Sequence, residues 1–385
     1  MKIFFPVEVL YPSQAGGTAN TIYWLARQLV NEGESPVIVA SDRGLADDTA
    51  RNHWSDTPAG RVTYIRTLNY HFPLLQTLYS LREVIRADVV KTSSIFYPAC
   101  TASALAARLM GKKLVVSALD ELSDYGLSRS RARKAPFLWL SKLLLKRYAV
   151  FHATTEREMG EIRAVFGERA RVVLIPDYIE VPPQLEHQPR EKYLLFIGRL
   201  HEKKGIDRLI RALQLSHRFM DSDLKLIVAG RSYLGYDREL AELTTQLGLD
   251  AKVRFAGQVE GEAKQRLLAN AMWMFMPSIT ENFGVVAAES LSQGTPVVAS
   301  RGTPWASLEE AKAGFWIEND PETLAAKVDE IIDMPEQEYL GYRIRSRAYA
   351  EERLDLRHHI GEWLELFRGL QKKGGIAPAL HQEIK

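Results

Sequence analysis

The 385-residue sequence contains only one cysteine, Cys100. A single thiol can form neither an intramolecular disulfide nor a cysteine-based zinc site. The nine histidines are scattered without metal-ligand spacing, and the adjacent His358 and His359 would point to different sides of a helix. The sequence therefore predicts no metal site.

Long apolar runs and a strong net charge are also missing. No stretch reaches the roughly 18 apolar residues that a membrane-spanning helix needs, and Pro6 and Glu8 interrupt the apolar residues 2–10. The formal net charge is +2, so no global field marks a nucleic-acid-binding protein. We therefore expect a cytoplasmic protein that binds no nucleic acid, and we infer its partners from local patterns.

What the sequence does contain is two successive series of short β-rich runs, separated by helical patterns. The runs in the first half lie at 3–10, 37–40, 62–66, 89–92, 113–117, 150–153 and 172–175. Those in the second half lie at 193–197, 224–229, 253–256, 272–276 and 297–299. Such alternation is typical of doubly wound parallel sheets, so we expect an α/β protein with two Rossmann-like domains.

The prolines between residues 176 and 189 indicate a linker between the two halves. We expect an N-terminal Rossmann-like domain at 1–185 and a C-terminal one at 190–353, facing each other across a cleft. A helix at 354–372 should pack back toward the N-terminal domain, and 373–385 should be a flexible tail. Because ligands of open α/β sheets bind beyond the carboxyl ends of the strands, functional residues are expected in the loops that follow strands.

The stretch 281–289 carries two carboxylates around a glycine, directly after the apolar run 272–276. It predicts a helix over 283–293, with Glu281 ahead of the first turn and Glu289 about two turns along. The alternative is a helix whose glutamates face the solvent. Glu289, however, has apolar neighbours on both sides, which favours a buried or cleft-facing carboxylate.

The start of this predicted helix offers backbone N–H groups to an anion, and the helix dipole favours negative charge there. These N–H groups belong to Asn282, Phe283, Gly284 and Val285. A carboxylate beside a phosphate cannot bind that phosphate, but it can accept hydrogen bonds from the hydroxyls of a sugar. The stretch therefore indicates a site for a sugar phosphate.

Two further loops follow predicted strands. Gly16 and Gly17 open the first helix and would let a phosphate or sugar approach the backbone, although a tight strand-to-helix turn is the alternative. They do not form the G-x-G-x-x-G fingerprint of a nicotinamide cofactor. Gly198 and Arg199 begin a basic loop that also contains Lys204. These two cations could neutralise a departing diphosphate, and a solvated surface loop is the alternative.

The second half combines several short motifs in a fixed order. They are Gly-Arg-Leu at 198–200, Lys-Gly at 204–205, Ala-Gly at 229–230, Val-Arg-Phe-Ala-Gly at 253–257, Pro-Ser at 277–278, Glu281-x7-Glu289 and Gly-Thr-Pro-Val-Val-Ala at 294–299. In combination they resemble the retaining nucleotide-sugar glycosyltransferases of glycosyltransferase family 4, also called glycosyl transferases group 1. The first half matches through Gly16-Gly17, Phe-His-Ala-Thr-Thr-Glu at 151–156 and Val-Leu-Ile-Pro at 173–176.

The resemblance implies a GT-B fold in which the C-terminal domain holds the donor and the N-terminal domain holds the acceptor. By this resemblance Arg199 and Lys204 grip the diphosphate, and Glu281 contacts hydroxyls of the donor sugar. Glu289 would bind the ribose, and the backbone of Asn282 to Val285 would face the phosphate and sugar.

The resemblance also implies the reaction. We expect a retaining, metal-independent hexosyltransferase that uses a nucleoside-diphosphate sugar as donor and needs no cofactor. The leaving diphosphate would help to remove the acceptor proton, so no covalent nucleophile is required. The acceptor would be a glycan or a lipid-linked molecule in the synthesis of lipopolysaccharide or another envelope polysaccharide or glycolipid.

The first half departs from the family pattern at two places. Asp120 and Glu121 follow the strand at 113–117, where many relatives have a His or an Arg-Gly element. They are candidates for the acceptor side, without a catalytic role carried over. The usual Pro-Asn-Gly turn before the linker is replaced by Pro176-Asp177-Tyr178.

A basic segment without any Asp or Glu extends from 125 to 155. Its candidates for membrane contact are Arg129, Arg131, Arg133, Lys134, Trp139 and Lys142. Such a segment suits an anionic membrane surface, at roughly 1 kcal/mol per well-placed cation. We therefore expect peripheral contact with the inner face of the membrane. The alternative is that Lys142 and Lys146 form the solvated side of an ordinary helix.

Two other functions fit parts of the pattern. A nucleotide-sugar 2-epimerase on the same fold would need no acceptor. A catalytically silent, nucleotide-sugar-binding partner subunit would retain the fold without turnover. The presence of Arg199, Lys204, Glu281 and Glu289 together favours the transferase.

Overall fold

The computed structural model describes residues 1–13, 17–128, 131–188 and 192–372, without the side chains of residues 131 and 133. The chain divides into two compact units. Unit 1 comprises Met1–Tyr178 and the described residues from Leu356 onward, and unit 2 comprises Ile179–Asp355.

The strands of the two units follow one another along the chain. They are β1 (Lys2–Pro6), β2 (Ser35–Ser41), β3 (Trp54–Thr57), β4 (Gly60–Ile65), β5 (Val89–Thr92), β6 (Lys113–Ser117), β7 (Val150–Ala153), β8 (Arg171–Leu174), β9 (Tyr193–Ile197), β10 (Lys225–Ala229), β11 (Val253–Gly257), β12 (Trp273–Met276), β13 (Val297–Ser300) and β14 (Gly314–Ile317). Short β-branched and aromatic runs account for most of them.

Helices separate most of these strands. They are α1 (Gly17–Asn31), α2 (Leu74–Arg86), α3 (Pro98–Leu109), α4 (Asp124–Ser128), α5 (Arg131–Leu145), α6 (Glu156–Phe166), α7 (Ile206–Leu215), α8 (His217–Asp221), α9 (Tyr236–Gln246), α10 (Gly261–Asn270), α11 (Val285–Ser292), α12 (Ser307–Glu310), α13 (Pro321–Ile332), α14 (Glu336–Tyr349) and α15 (Leu356–Gln371). A 3₁₀ turn at Glu202–Lys204 and a π-helical turn at Ala350–Leu354 complete the described elements.

Each unit contains one sheet, and the expected parallel α/β architecture is confirmed. The sheet of unit 1 has the order β3-β4-β2-β1-β5-β6-β7-β8, and that of unit 2 has the order β11-β10-β9-β12-β13-β14. All neighbours are parallel except β3 and β4, which form an antiparallel pair at one edge. The strand order reverses next to β1 in unit 1 and next to β9 in unit 2. Binding crevices of doubly wound sheets lie at such reversals.

Helices cover both faces of the sheet of unit 1. Ile3 and Phe5 point into a core formed with α1 and α15, whereas Phe4 points into a core formed with α2, α3, α5 and α6. This alternation is the period-2 geometry of a strand that is buried on both faces. Helix α15 packs against α1, so the chain returns to unit 1 after completing unit 2.

Candidate active site in unit 2

The crevice of unit 2 lies at the carboxyl ends of β9 and β12, where the strand order reverses. Gly198 follows β9, and Gly230 follows β10 directly beside it. A Cβ atom on Gly230 would lie 1.7 Å from the carbonyl oxygen of Gly198, so only glycine fits there. The two strand ends therefore approach closely and leave the loop after β9 to line the crevice.

The loop after β9 is folded so that Lys204 points toward the loop after β12. Gly205 adopts a left-handed conformation with φ of 62°, and a Cβ there would lie 2.2 Å from the carbonyl oxygen of Pro277. The backbone N–H of Ile279 donates to the carbonyl oxygen of Lys203, with an N···O distance of 2.8 Å. These contacts join the two loops.

Lys204 and Glu281 form an ion pair within these joined loops. The Lys204 ammonium donates to Oε2 of Glu281, and the two side chains are 16% and 15% exposed. Ser278 Oγ donates to the same carboxylate oxygen at 3.2 Å. Burial acts to raise the pKa of Glu281, but the charge and hydrogen bond of Lys204 outweigh it, so the pKa lies below its ordinary value. Glu281 is therefore ionised at neutral pH.

Helix α11 begins at Val285, so the predicted start at Phe283 is wrong by two residues. The reason is Gly284, which caps the helix in a left-handed conformation with φ of 77°. A Cβ on Gly284 would lie 2.7 Å from Cε of Met276. Consequently Glu289 lies about one turn into the helix, rather than about two.

Glu289 is buried, with 6% of its surface exposed. Its Oε2 accepts a hydrogen bond from Nζ of Lys264 at 2.5 Å. Lys264 belongs to α10, which packs beside α11. Sequence reasoning missed Lys264, although a glutamate with apolar neighbours signals that a cation from another element must accompany it.

The segment between the two glutamates carries an unsatisfied polar atom. Oδ1 of Asn282 is buried and has no hydrogen-bond partner among the described residues. The carbonyl of Phe283 accepts a hydrogen bond from Nε1 of Trp305 at 2.6 Å, and the two rings lie 5.2 Å apart. Phe283 is thus anchored, whereas Asn282 offers a free acceptor for a ligand hydroxyl.

Arg199 differs from the other cations of the crevice because it is exposed. Within the described ranges its guanidinium has no hydrogen bond or ion pair. Lys204 and Lys264 are each paired with a glutamate. Arg199 therefore remains an uncompensated positive charge after β9. No cluster of three or more His, Cys, Asp or Glu side chains in the described part of the chain is arranged to hold a metal ion.

The acceptor-side candidates Asp120 and Glu121 follow β6, and both have partners within unit 1. Asp120, with φ of 68°, accepts a hydrogen bond from Nη2 of Arg157 at 3.2 Å. Glu121 accepts hydrogen bonds from Ser94 Oγ and from the backbone N–H of Ile95, both at 2.6 Å. Burial raises the pKa of Glu121 to about 7 against the effect of these bonds. Glu121 thus joins the loops after β5 and β6.

Some predicted residues fall outside the described part of the chain. Gly16 and Arg129 lie in the ranges left out, and Gly17 is the first residue of α1. Arg131 and Arg133 belong to α5, but their side chains lie outside the described part.

The remaining candidates for membrane contact lie on α5. Trp139 is 66% exposed and Lys142 is exposed as well. Lys134 is held against the unit, since its ammonium donates to the carbonyl of Gly126 and lies 4.8 Å from the ring centre of Phe96. None of the helices in the described ranges combines the length and apolar character that crossing a bilayer requires.

The chain is similar to known glycosyltransferases. Residues 177–347 match the family described as glycosyl transferases group 1, and residues 16–177 match the glycosyl transferase 4-like domain. An uncharacterized glycosyltransferase of Methanocaldococcus jannaschii is 35% identical over 170 residues, which are 42% of this chain and 41% of that protein. The GDP-mannose:cellobiosyl-diphosphopolyprenol alpha-mannosyltransferase of Xanthomonas oryzae is 26% identical over 95% of this chain and 96% of that protein.

Solved structures share the fold. The crystal structure of HepE from Anabaena in complex with UDP-glucose superposes with a TM-score of 0.73 at 19% identity, over 95% of this chain and 100% of that one. The two family matches meet at residue 177 and together span residues 16–347. The chain therefore belongs to the glycosyl transferases of group 1, its N-terminal half being a glycosyl transferase 4-like domain, and it has the GT-B fold.

Proposed function

We propose that unit 2 binds a nucleoside-diphosphate sugar and that the chain transfers the sugar, with retention, to a glycan or lipid-linked acceptor. The observation that carries this proposal is the Lys204–Glu281 pair at the crevice, followed along the chain by the buried Glu289 of α11. A similar protein is named as an alpha-mannosyltransferase that uses GDP-mannose and a diphosphopolyprenol-linked acceptor. Synthesis of lipopolysaccharide or of another envelope polysaccharide or glycolipid is the corresponding role.

Arg199 and Lys204 stabilise the leaving diphosphate. As the bond between the sugar C1 and the phosphate oxygen breaks, negative charge develops on the diphosphate. Arg199 is uncompensated and Lys204 lies at the mouth of the crevice, so both can take up this charge. The new bond forms between C1 and the acceptor oxygen on the same face of the sugar, and the acceptor proton passes to the diphosphate. This route needs neither a metal nor a covalent nucleophile.

The acidic and amide oxygens orient the donor. Glu281 is an ionised carboxylate, which accepts hydrogen bonds from sugar hydroxyls. The unsatisfied Oδ1 of Asn282 can accept another. Glu289 binds the ribose hydroxyls and is held in place by Lys264.

A thermal-shift panel of UDP-, GDP- and ADP-sugars, each with and without EDTA, tests the proposal. A ligand that binds only the native state raises the melting temperature. We expect one nucleotide class to stabilise the chain equally in both conditions. No response to any donor would contradict the proposal. Conversion of the donor to its 2-epimer without an acceptor would show the epimerase alternative instead, and binding without turnover on any acceptor would favour the silent subunit.

We also propose that α5 contacts an anionic membrane surface from the cytoplasmic side. Its outer surface exposes Trp139 next to Lys142, and α5 contains no Asp or Glu. An aromatic ring beside cations suits the headgroup region of a bilayer. Such contact would bring the enzyme to a lipid-linked acceptor.

A further inference from the structure

The pairing of β9 with β10 continues beyond the carboxyl ends of the two strands. Ile197 is the last residue of β9, and it pairs with Ala229, the last residue of β10. Further along the two loops, an isolated parallel bridge joins Leu200 to Ser232. Both pairs have the same offset in the sequence. The loops that follow β9 and β10 therefore keep the register of the sheet.

This register places Arg199 opposite Arg231, because each arginine directly precedes one member of the Leu200–Ser232 bridge. Neighbouring strands are about 4.8 Å apart, so the two arginines are close neighbours. Leu200 is buried, whereas both arginines are exposed. Side chains alternate along an extended chain, and the two arginines therefore point together away from the side on which Leu200 is buried.

Two guanidinium groups in this arrangement repel each other, as like charges on facing positions of a sheet do. Among the described residues neither Arg199 nor Arg231 has a hydrogen bond or ion pair from its side chain. The loops are also held together. The backbone N–H of Leu200 donates to the carbonyl oxygen of Arg231 at 2.9 Å, and that of Tyr233 donates to the carbonyl oxygen of Leu200 at 3.0 Å. An anion bound between the guanidinium groups would replace the repulsion by attraction.

The proposed donor carries an anion of the matching form. A guanidinium binds a phosphoryl group through two parallel N–H···O hydrogen bonds. A nucleoside diphosphate has two phosphoryl groups in succession, and the two loops offer two guanidinium groups side by side. Each arginine can therefore bind one phosphate of the donor.

The order of the strands indicates which arginine is nearer to the ribose. Across this crevice the order is β11-β10-β9-β12. The loop after β12 contains Glu281, the proposed contact of the donor sugar. Strand β11 leads into α10, whose Lys264 pairs with the proposed ribose-binding Glu289. Arg231 follows β10, so it lies one strand nearer than Arg199 to the nucleoside end.

We propose that Arg231 binds the phosphate attached to the ribose and that Arg199 binds the phosphate attached to the sugar. The inference rests on the proposed binding of a nucleotide sugar in unit 2 and adds a binding residue to it. The charge that develops during transfer appears on the phosphate that leaves the sugar. Arg231 therefore contributes to donor affinity, whereas Arg199 also contributes to turnover.

Isothermal titration calorimetry with GDP, GMP and guanosine, and with UDP, UMP and uridine, tests this assignment. In the series that the wild type binds, Arg231→Gln should weaken the diphosphate and the monophosphate by at least about tenfold and leave the nucleoside unchanged. Arg199→Gln should weaken the diphosphate alone. The matched control is Arg211→Gln, at an exposed arginine in the middle of α7, which should bind every ligand like the wild type.

Equal affinity of Arg231→Gln and the wild type for the diphosphate would overturn the proposal. A loss confined to the diphosphate would overturn the assignment of Arg231 to the phosphate next to the ribose. An equal loss for the nucleoside would show that Arg231 does not act through a phosphate.

The ligand-free protein provides a second readout. Arg231→Gln removes one of two repelling charges, so the melting temperature without ligand should not fall. A fall of the melting temperature together with the loss of binding would contradict the proposal, because Arg231 would then act through the stability of the fold.

Inorganic pyrophosphate separates this inference from the proposed function. Nucleotide binding that is the same in the wild type and in Arg231→Gln would leave the proposed function standing and reject the role of Arg231. If the wild type bound neither nucleotide series but bound pyrophosphate more tightly than Arg231→Gln does, the proposed function would be contradicted and the anion site at the two arginines supported. No binding of any of these ligands to the wild type would contradict both.

Discussion

At the scale of single residues, the Lys204–Glu281 pair has two effects that can be separated. Each side chain neutralises the other in a place that is mostly shielded from water. Removing one partner leaves a partly buried charge, which costs roughly 1–3 kcal/mol of unfolding free energy. The pair is also proposed to act on the donor. Loss of activity in a single variant could therefore come from either effect.

A double substitution distinguishes them. We expect Lys204→Ala alone to lower both stability and turnover, with turnover falling by roughly 10²-fold because charge on the leaving diphosphate is no longer neutralised. K204M/E281Q should regain most of the stability, since no unpaired charge remains, but should not regain turnover. Urea denaturation and steady-state kinetics measure the two quantities.

The exposed Lys192 provides the control for this pair. Lys192→Ala removes a lysine of unit 2 and should change neither stability nor turnover. Recovery of turnover in K204M/E281Q together with stability would show that the pair has only a structural role.

At the scale of elements, the contact between α10 and α11 connects Lys264 to Glu289. Lys264→Met should lower affinity for the nucleotide, because the ribose-binding carboxylate loses the cation that orients it. We expect KM for the donor to rise by about tenfold while kcat changes little, since the ribose is remote from the breaking bond. Lys264→Arg should retain most of the affinity.

Helix α10 also supplies a matched control. Arg266 lies two residues further on and pairs with Glu262 on the surface, where the side chains are 67% and 70% exposed. Arg266→Gln should leave KM unchanged, since exposed pairs contribute little. If Lys264→Met lowered kcat and left KM unchanged, that result would contradict a role of Lys264 in ribose binding.

The alternation of elements could be predicted from the sequence, because buried parallel strands and amphipathic helices leave strong periodic patterns. Glu281 and Glu289 could also be predicted as candidate site residues, because charged residues stand out among apolar neighbours in the sequence. The start of α11 could not be predicted, because it depends on the crowding of Gly284 against the side chain of Met276 at the end of β12. Lys264 was missed for the same reason: its partner is a residue of a different helix.

The orientation of α2 shows the limit most clearly. Its leucines have helical spacing, and spacing alone would turn them inward, whereas Leu74 is 73% exposed. The contacts of Gln76 with Val7 and of Glu83 with Lys2 determine the actual orientation. Gln76 and Val7 are 69 positions apart in the sequence, and Glu83 and Lys2 are 81 positions apart. No local pattern encodes such contacts.

At the scale of the whole molecule, the chain passes from unit 1 to unit 2 between Tyr178 and Ile179, and Asp177 lies directly before this point. Burial raises the pKa of Asp177 from 3.8 to about 7, the charge of Glu158 acts in the same direction, and the charge of Lys91 opposes both. The folded protein therefore binds this proton more tightly than the unfolded chain. Asp177 should contribute stability at low pH and lose that contribution as pH rises through about 7.

Asp177→Asn should remove this part of the pH dependence. The urea midpoint of the wild type should fall more steeply than that of the variant between about pH 4 and pH 7, the window set by the two pKa values. The informative quantity is the slope of the urea midpoint against pH. The absolute stability is less informative, because the variant also removes a charge next to Lys91. Hydrogen exchange of β5 and β7 amides would assign the change to unit 1. Asp333→Asn, at an exposed carboxylate paired with Arg218, should leave the slope unchanged. Identical slopes for Asp177→Asn and the wild type would show that Asp177 is already ionised in the folded chain over this range.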